Sequence, residues 1–213
     1  MGTYKNGITG PFSGKIGPVV GSSWKGIAYM RSLPRQTSQP PTPKQKAQRM
    51  KMALAIQFLS PVSELVNIGF ASEAIKASGF NIATSKFISN VITGTYPNLG
   101  VDYSKVLISS GNLTGPWNTT ISSTQPGTVT INWTDNSGSG TAKSTDTAVI
   151  LVFSPAKALY HYTMAGPERN TAQDIITLPQ NFSGDTVEVW ITFISATKKS
   201  ISTSIHAGSI IVG

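Results

Sequence analysis

The chain has 213 residues, a net charge of +8 and no cysteine, which excludes disulfides, thiolate metal sites and cysteine nucleophiles. Charged residues make up 12% of it, about half the usual share, and Ser, Thr, Asn and Gly stand in their place. The charge is uneven: residues 1–52 hold nine Lys and Arg and no acid, the first acid is Glu64, and the remaining chain holds eight basic and nine acidic side chains.

Residues 1–42 open the chain with glycines at positions 2, 7, 10, 14, 17, 21 and 26 and prolines at 11, 18, 34, 40 and 41. Gly relaxes φ and Pro fixes it, so long regular elements are not expected here. The segment also carries Tyr4, Ile8, Phe12, Ile16, Val19, Val20, Trp24, Ile27, Tyr29 and Met30, more large apolar groups than a solvated linker would. It reads as an extended basic arm that lies on another surface.

Residues 43–102 read as a helical segment. Thr42-Pro43 supplies an N-cap and a first-turn proline. Met50, Leu54 and Phe58 then recur at helical spacing, with Ile56 and Leu59 widening the stripe. Lys44, Lys46, Arg49 and Lys51 make the first two turns basic. Ser60-Pro61 restarts a helix through Val62, Leu65 and Val66 to Gly69. A short third helix is expected over 72–78, closed by Gly79, and a fourth from an Asn81 cap through Ala83, Phe87 and Val91 to Gly94.

From about residue 103 the period changes to two. Val129-Thr130-Ile131-Asn132-Trp133 and Val187-Glu188-Val189-Trp190-Ile191-Thr192-Phe193 alternate clearly. Further strands are expected at 104–109, 117–123, 146–153, 157–164, 174–178 and 200–212, separated by turn chemistry such as Gln125-Pro126-Gly127 and Asp135-Asn136-Ser137-Gly138. About eight strands without intervening helices point to an antiparallel β-sandwich over 103–213. The expected class is mainly β with a helical segment, an α+β chain with an extended N-terminal arm.

Specific wording recurs in the arm: Met1-Gly2-Thr3-Tyr4-Lys5-Asn6-Gly7-Ile8, Gly10-Pro11-Phe12-Ser13-Gly14-Lys15-Ile16-Gly17, Val20-Gly21-Ser22-Ser23-Trp24-Lys25-Gly26 and Met30-Arg31-Ser32-Leu33-Pro34-Arg35. Together they resemble the N-terminus of a family of uncharacterised bacterial proteins, a domain of unknown function. The resemblance extends through Leu178-Pro179 and Ser202-Thr203-Ser204. It implies that the arm belongs to the protein's design, and it carries no activity, cofactor or catalytic residue.

Catalytic signatures are lacking. Gly10-Pro11-Phe12-Ser13-Gly14-Lys15-Ile16 has three residues between its glycines and Ile after Lys, where a phosphate loop needs four and a Ser or Thr. His161 and His206 are the two histidines, too far apart in sequence for a ligand motif, and no acidic cluster has metal-ligand spacing. There is no Gly-x-Ser-x-Gly elbow. No cofactor is expected. Trp117, Trp133 and Trp190 fall in expected strands, where filling the sandwich core is the favoured role over stacking on sugars or bases. Trp24 has no core of its own and is expected to anchor the arm in a pocket.

The leading expectation is a non-enzymatic structural protein that self-associates into an oligomer, shell or filament through its arm, a virion-like assembly among the options. Tyr4, Phe12, Trp24 and Tyr29 would form the interface, with a second copy or another assembly subunit as partner. The alternative is binding of nucleic acid or another polyanion through Lys15, Lys25, Arg31, Arg35, Lys44, Lys46, Arg49 and Lys51. A second alternative is a carbohydrate-binding or enzymatic sandwich. With no signal peptide and no run near the roughly 20 apolar residues of a membrane span, the expected location is the cytoplasm or a particle assembled there.

Overall fold

The computed structural model describes residues 10–24, 26–34 and 39–213 in full, and residues 3–4 by their backbone. The chain divides into two compact units, Met1–Thr42 and Pro43–Gly213.

The N-terminal unit is a β-meander. Strands β1 (Thr3–Tyr4), β2 (Phe12–Ile16), β3 (Val19–Trp24) and β4 (Ile27–Ser32) lie side by side in sequence order, each antiparallel to the next. The elements are short, as the Gly and Pro content predicts, and they pair into a sheet. The glycines sit where strands need them. Gly17 and Gly26, at φ +56° and +82°, supply the left-handed positions of the two hairpin turns. Gly21 is buried, and a Cβ there would collide with the Phe12 carbonyl and lie 2.7 Å from the Phe12 ring. The missing side chain leaves room for that ring.

The second unit begins with three helices: α1 (Pro43–Leu59), α2 (Ser63–Gly69) and α3 (Gly79–Asn90). A hairpin of β5 (Ile92–Thr95) and β6 (Asn98–Val101) follows. The remaining strands are β7 (Trp117–Ser122), β8 (Thr128–Thr134), β9 (Thr147–Ser154), β10 (Leu159–Thr163), β11 (Gln173–Thr177), β12 (Thr186–Ile194) and β13 (Ile205–Ile211). They form a four-stranded sheet ordered β10-β9-β12-β13 and a three-stranded sheet ordered β11-β8-β7, an antiparallel sandwich.

The two central strands of the four-stranded sheet, β9 and β12, are buried on both faces. Successive side chains of a strand point to opposite sides. From β9, Ala148, Ile150 and Val152 join Val129, Ile131, Trp133 and Phe193 between the sheets. Val149, Leu151 and Phe153 of the same strand join Phe58, Leu65, Phe87 and Trp190 under the helices. The helical segment and the sandwich therefore share a core. The uninterrupted run Ala148–Phe153 in β9 is the sequence form of a strand covered on both sides.

Several expected boundaries move. Residues 72–78 form short turns rather than a helix, through bonds such as Glu73 N–H to the Phe70 carbonyl and Ala74 N–H to the Ala71 carbonyl. Ser78, not Asn81, caps α3 by accepting the Asn81 N–H. Gly79 closes no helix: it opens α3, where a Cβ would lie 2.7 Å from the Asn67 carbonyl oxygen and 2.9 Å from that of Val66. It is the point of close approach between α2 and α3. Gly94 lies in the β5–β6 hairpin rather than at a helix end. On α1, Ile56 stays 39% exposed and is not part of the buried stripe. The cap of α2 is Val62, with no side-chain bond, in place of Ser60.

Residues 104–109 form no strand. A short 3-10 turn at Tyr103–Lys105 leads into a segment pinned by side chains. Ile108 N–H and Ser109 N–H both donate to Ser204 Oγ, at 2.9 and 3.3 Å. Ser109 Oγ donates to Thr192 Oγ1 and to the Ser202 carbonyl, each at 2.8 Å. This buried hydroxyl cluster gives Ser202 and Ser204 a structural task. It supplies the backbone partners that a sheet would otherwise supply.

Candidate functional site

The strand register sorts the meander's side chains by face. Lys15 pairs with Val20, and Val20 with Arg31. Ser22 pairs with Tyr29 and Trp24 with Ile27. Partners across an antiparallel ladder project to the same side, as do residues two apart. One face therefore carries Lys15, Val20, Trp24, Ile27, Tyr29 and Arg31. The other carries Phe12, Ile16, Val19, Met30 and small residues, with no charge on β2, β3 or β4. Trp24 is 51% exposed and Tyr29 45%.

Four aromatic residues were expected to form an interface, and they do not share one face. Trp24 and Tyr29 lie together. Phe12 is half-buried over Gly21 on the opposite side. The backbone of Tyr4 pairs with Phe12, and its side chain lies outside the described residues. Trp24 is half-exposed on the sheet.

The expected nucleic-acid contacts also divide. Lys15 and Arg31 are exposed on the Trp24–Tyr29 face, and among the described residues neither forms an ion pair. Lys25 and Arg35 lie outside the described residues. Lys44, Lys46 and Arg49 are exposed on α1, and Lys51 is partly buried. At about 100° per residue, Lys44 and Lys51 fall on one side of that helix and Lys46 and Arg49 on the other, so they form no single stripe. The buried residues of α1 are Ala55, Phe58 and Leu59, all in its second half.

The second unit buries one ion pair. Arg169 is fully buried, which pulls its pKa down, while the Asp146 carboxylate opposes the shift. Its Nη2 donates to Asp146 Oδ2 at 3.1 Å and to the Thr114 carbonyl at 2.8 Å, and Nη1 donates to Asn136 Oδ1 at 2.6 Å. The guanidinium stands 3.8 Å from the centre of the Phe193 ring. Trp133 Nε1 donates to the Arg169 carbonyl at 2.8 Å. One buried cation thus ties together three loops at one end of the sandwich. The sequence offered little sign of it, because a single Arg in a loop reads as surface.

His206 and Glu188 approach to 2.7 Å beside Trp190. Burial raises the pKa of Tyr103, with a smaller push from Glu188. Burial also pushes Tyr160 up to about 12, helped by Tyr103. His161 lies in β10, opposite Val152. Trp133 and Trp190 are core residues, 4% and 0% exposed, while Trp117 is 48% exposed on β7, an outer strand of its sheet. A cleft of about 500 Å³ lies between α2 and the sheet, lined chiefly by Leu65, Ile68, Val149, Met164 and Ile194, with Lys198 and Lys199 beside them. Among the described residues no group of three His, Asp or Glu is placed to hold a metal ion, and no single helix is long and apolar enough to cross a membrane.

Residues 11–208 match a family of unknown function, DUF6266, and the chain belongs to that family. No curated protein matches in sequence. Among solved structures, the fibronectin type III domain of the human collagen alpha-1(XX) chain is similar at 16% identity and a TM-score of 0.35, covering 49% of this chain and 90% of that domain.

Proposed function

We propose that this member of DUF6266 is a non-enzymatic assembly subunit that self-associates through its N-terminal meander, the partner being the β4 edge of a second copy. The observation that carries the reading is β4 itself. It is the outer strand of its sheet, all six of its residues are exposed, and it presents Ile27 and Met30, each 71% exposed. An edge strand offers main-chain donors and acceptors to another strand, and proteins that avoid such pairing blunt the edge with charge, proline or short length. β4 has one charge, Arg31, and no proline.

Pairing of β4 with β4 by a two-fold axis closes as a dimer. Pairing of β4 with the opposite edge of the next meander continues as a filament. The low charge of the second unit suits further packing between subunits, because Ser and Thr cost less to desolvate than Lys or Glu.

The test is the solution mass of untagged full-length protein by light scattering over a range of concentrations. The chain mass is 22.5 kDa, and a regular multiple of it is expected. The double variant Ile27→Lys/Met30→Lys, which charges both faces of the edge, should return the protein to that mass. A wild-type monomer at every concentration, or an assembly that survives the double substitution, overturns the reading.

A further inference from the structure

We infer that the Lys15–Trp24–Tyr29–Arg31 face of the meander is a binding platform for single-stranded nucleic acid. On β2, β3 and β4, the two described cations and the two largest exposed rings all fall on this one face. Lys15 and Arg31 sit at the two ends of one cross-strand row, with Val20 between them. At two strand spacings, their backbones are roughly 10 Å apart. Trp24 and Tyr29 are diagonal neighbours across the β3–β4 ladder, a separation of roughly 7–8 Å. Two rings set apart in this way can each take a base, while the two cations, in the row next to Tyr29 on the side away from Trp24, meet the phosphates.

Unpaired bases fit this surface better than a duplex does. Bases in a duplex are stacked on one another and present only their edges, so exposed rings gain nothing from them. A single strand offers a π-face at every base, and stacking on aromatic side chains beside a positively charged surface is the usual means of holding it. The charge complementarity is uniform, since no Asp or Glu occurs before Glu64. The opposite face, with Phe12, Ile16, Val19 and Met30, has the apolar groups without the cations and serves as an internal control. The platform shares β4 with the edge proposed for assembly but uses other groups of it: side chains of one face here, the main chain of the border there.

The experiment is fluorescence anisotropy of labelled 20-mers of deoxythymidine and of uridine, and of a 20-base-pair duplex, on full-length protein at low and moderate salt. Single strands should bind more tightly than the duplex. Trp24→Ala/Tyr29→Ala should weaken binding roughly ten-fold or more, as expected for lost stacking on two rings. Lys15→Gln/Arg31→Gln should flatten the dependence of log K on log salt by about 1.4, at about 0.7 per phosphate contact on a single strand. This second pair keeps the test open if the ring variant fails to fold. Ile16→Gln, on the other face, should change nothing. Preference for one of the two sugars identifies the source as DNA or RNA.

Equal affinity for duplex and single strand, equal loss from Ile16→Gln, or no binding at low salt overturns the inference. So does retention by anionic vesicles that the single strands cannot displace. Met30→Lys alone, which charges the edge only on the face opposite Trp24 and Tyr29, separates the two proposals: a monomeric protein that still binds single strands speaks for the platform alone.

Discussion

The two units differ in what their cations and rings can meet. In the second unit four cations find acids: Lys86 with Glu73 at 2.7 Å, Lys105 with Asp102 at 2.9 Å, Lys157 with Asp185 at 3.0 Å and Arg169 with Asp146 at 3.1 Å. Two of its three tryptophans fill cores, Trp190 under the helices and Trp133 between the sheets. In the meander the cations have no acid in their own unit, and Trp24 and Tyr29 are half-exposed. A side chain whose hydrogen bonds and apolar area are satisfied within its own fold contributes to stability. One left in solvent contributes little and is available to something else. The contrast separates a unit with buried tryptophans and a buried ion pair from a sheet whose Trp24 and Tyr29 stay in solvent.

The contrast is tested most severely at Arg169. Replacing it with Leu leaves the Asp146 carboxylate, 1% exposed, without its cation. The expected cost is about 3–5 kcal/mol, read as a lower urea midpoint. A loss below about 1 kcal/mol would mean that the buried pair does not organise the loops. Thr192→Val comes next. It removes the hydroxyl that meets Ser109 Oγ and Ser202 Oγ, each at 2.8 Å, and should cost about 1–3 kcal/mol. Gly79→Ala forces a methyl against the Asn67 carbonyl and should cost a similar 1–3 kcal/mol, as overpacking does. An unchanged midpoint would show that α2 and α3 separate easily.

Alkaline pH acts on the body through Tyr160, whose pKa rises from 10.0 to about 12 in the folded chain. The unfolded chain ionises first, so the contribution is complete below pH 10 and is lost as pH rises towards 12. Urea midpoints measured from pH 9 to 12 should fall, and fall less steeply in Tyr160→Phe. The smallest effect is expected in the meander. Trp24→Ala should leave the midpoint within about 0.5 kcal/mol of wild type, as exposed substitutions do. A large loss there would collapse the contrast between the units, because it would make Trp24 part of a core.

Much of the second unit was legible in local pattern. Alternation located β8 and β12, and the Thr42-Pro43 signal located the start of α1, since these depend on neighbours in sequence. The segment at 104–109 was misread because its backbone partners are Ser202 and Ser204, almost a hundred residues away. The β5–β6 hairpin was missed because Gly94 serves equally well as a helix stop or a hairpin residue. The expected interface set mixed both faces of the meander, because residue type alone says nothing of strand register.

By itself the sequence determined the charge asymmetry, the β-rich class, the absence of thiol chemistry and the family. Composition and short-range periodicity are enough for those. The tertiary structure decided which tryptophans are buried, that β9 is covered on both sides, that Arg169 is internal, and that Lys15, Trp24, Tyr29 and Arg31 share a face. Each of these depends on which strand lies beside which and in what register. Turn geometry and long-range packing set that register, and a one-residue slip would reverse every facing.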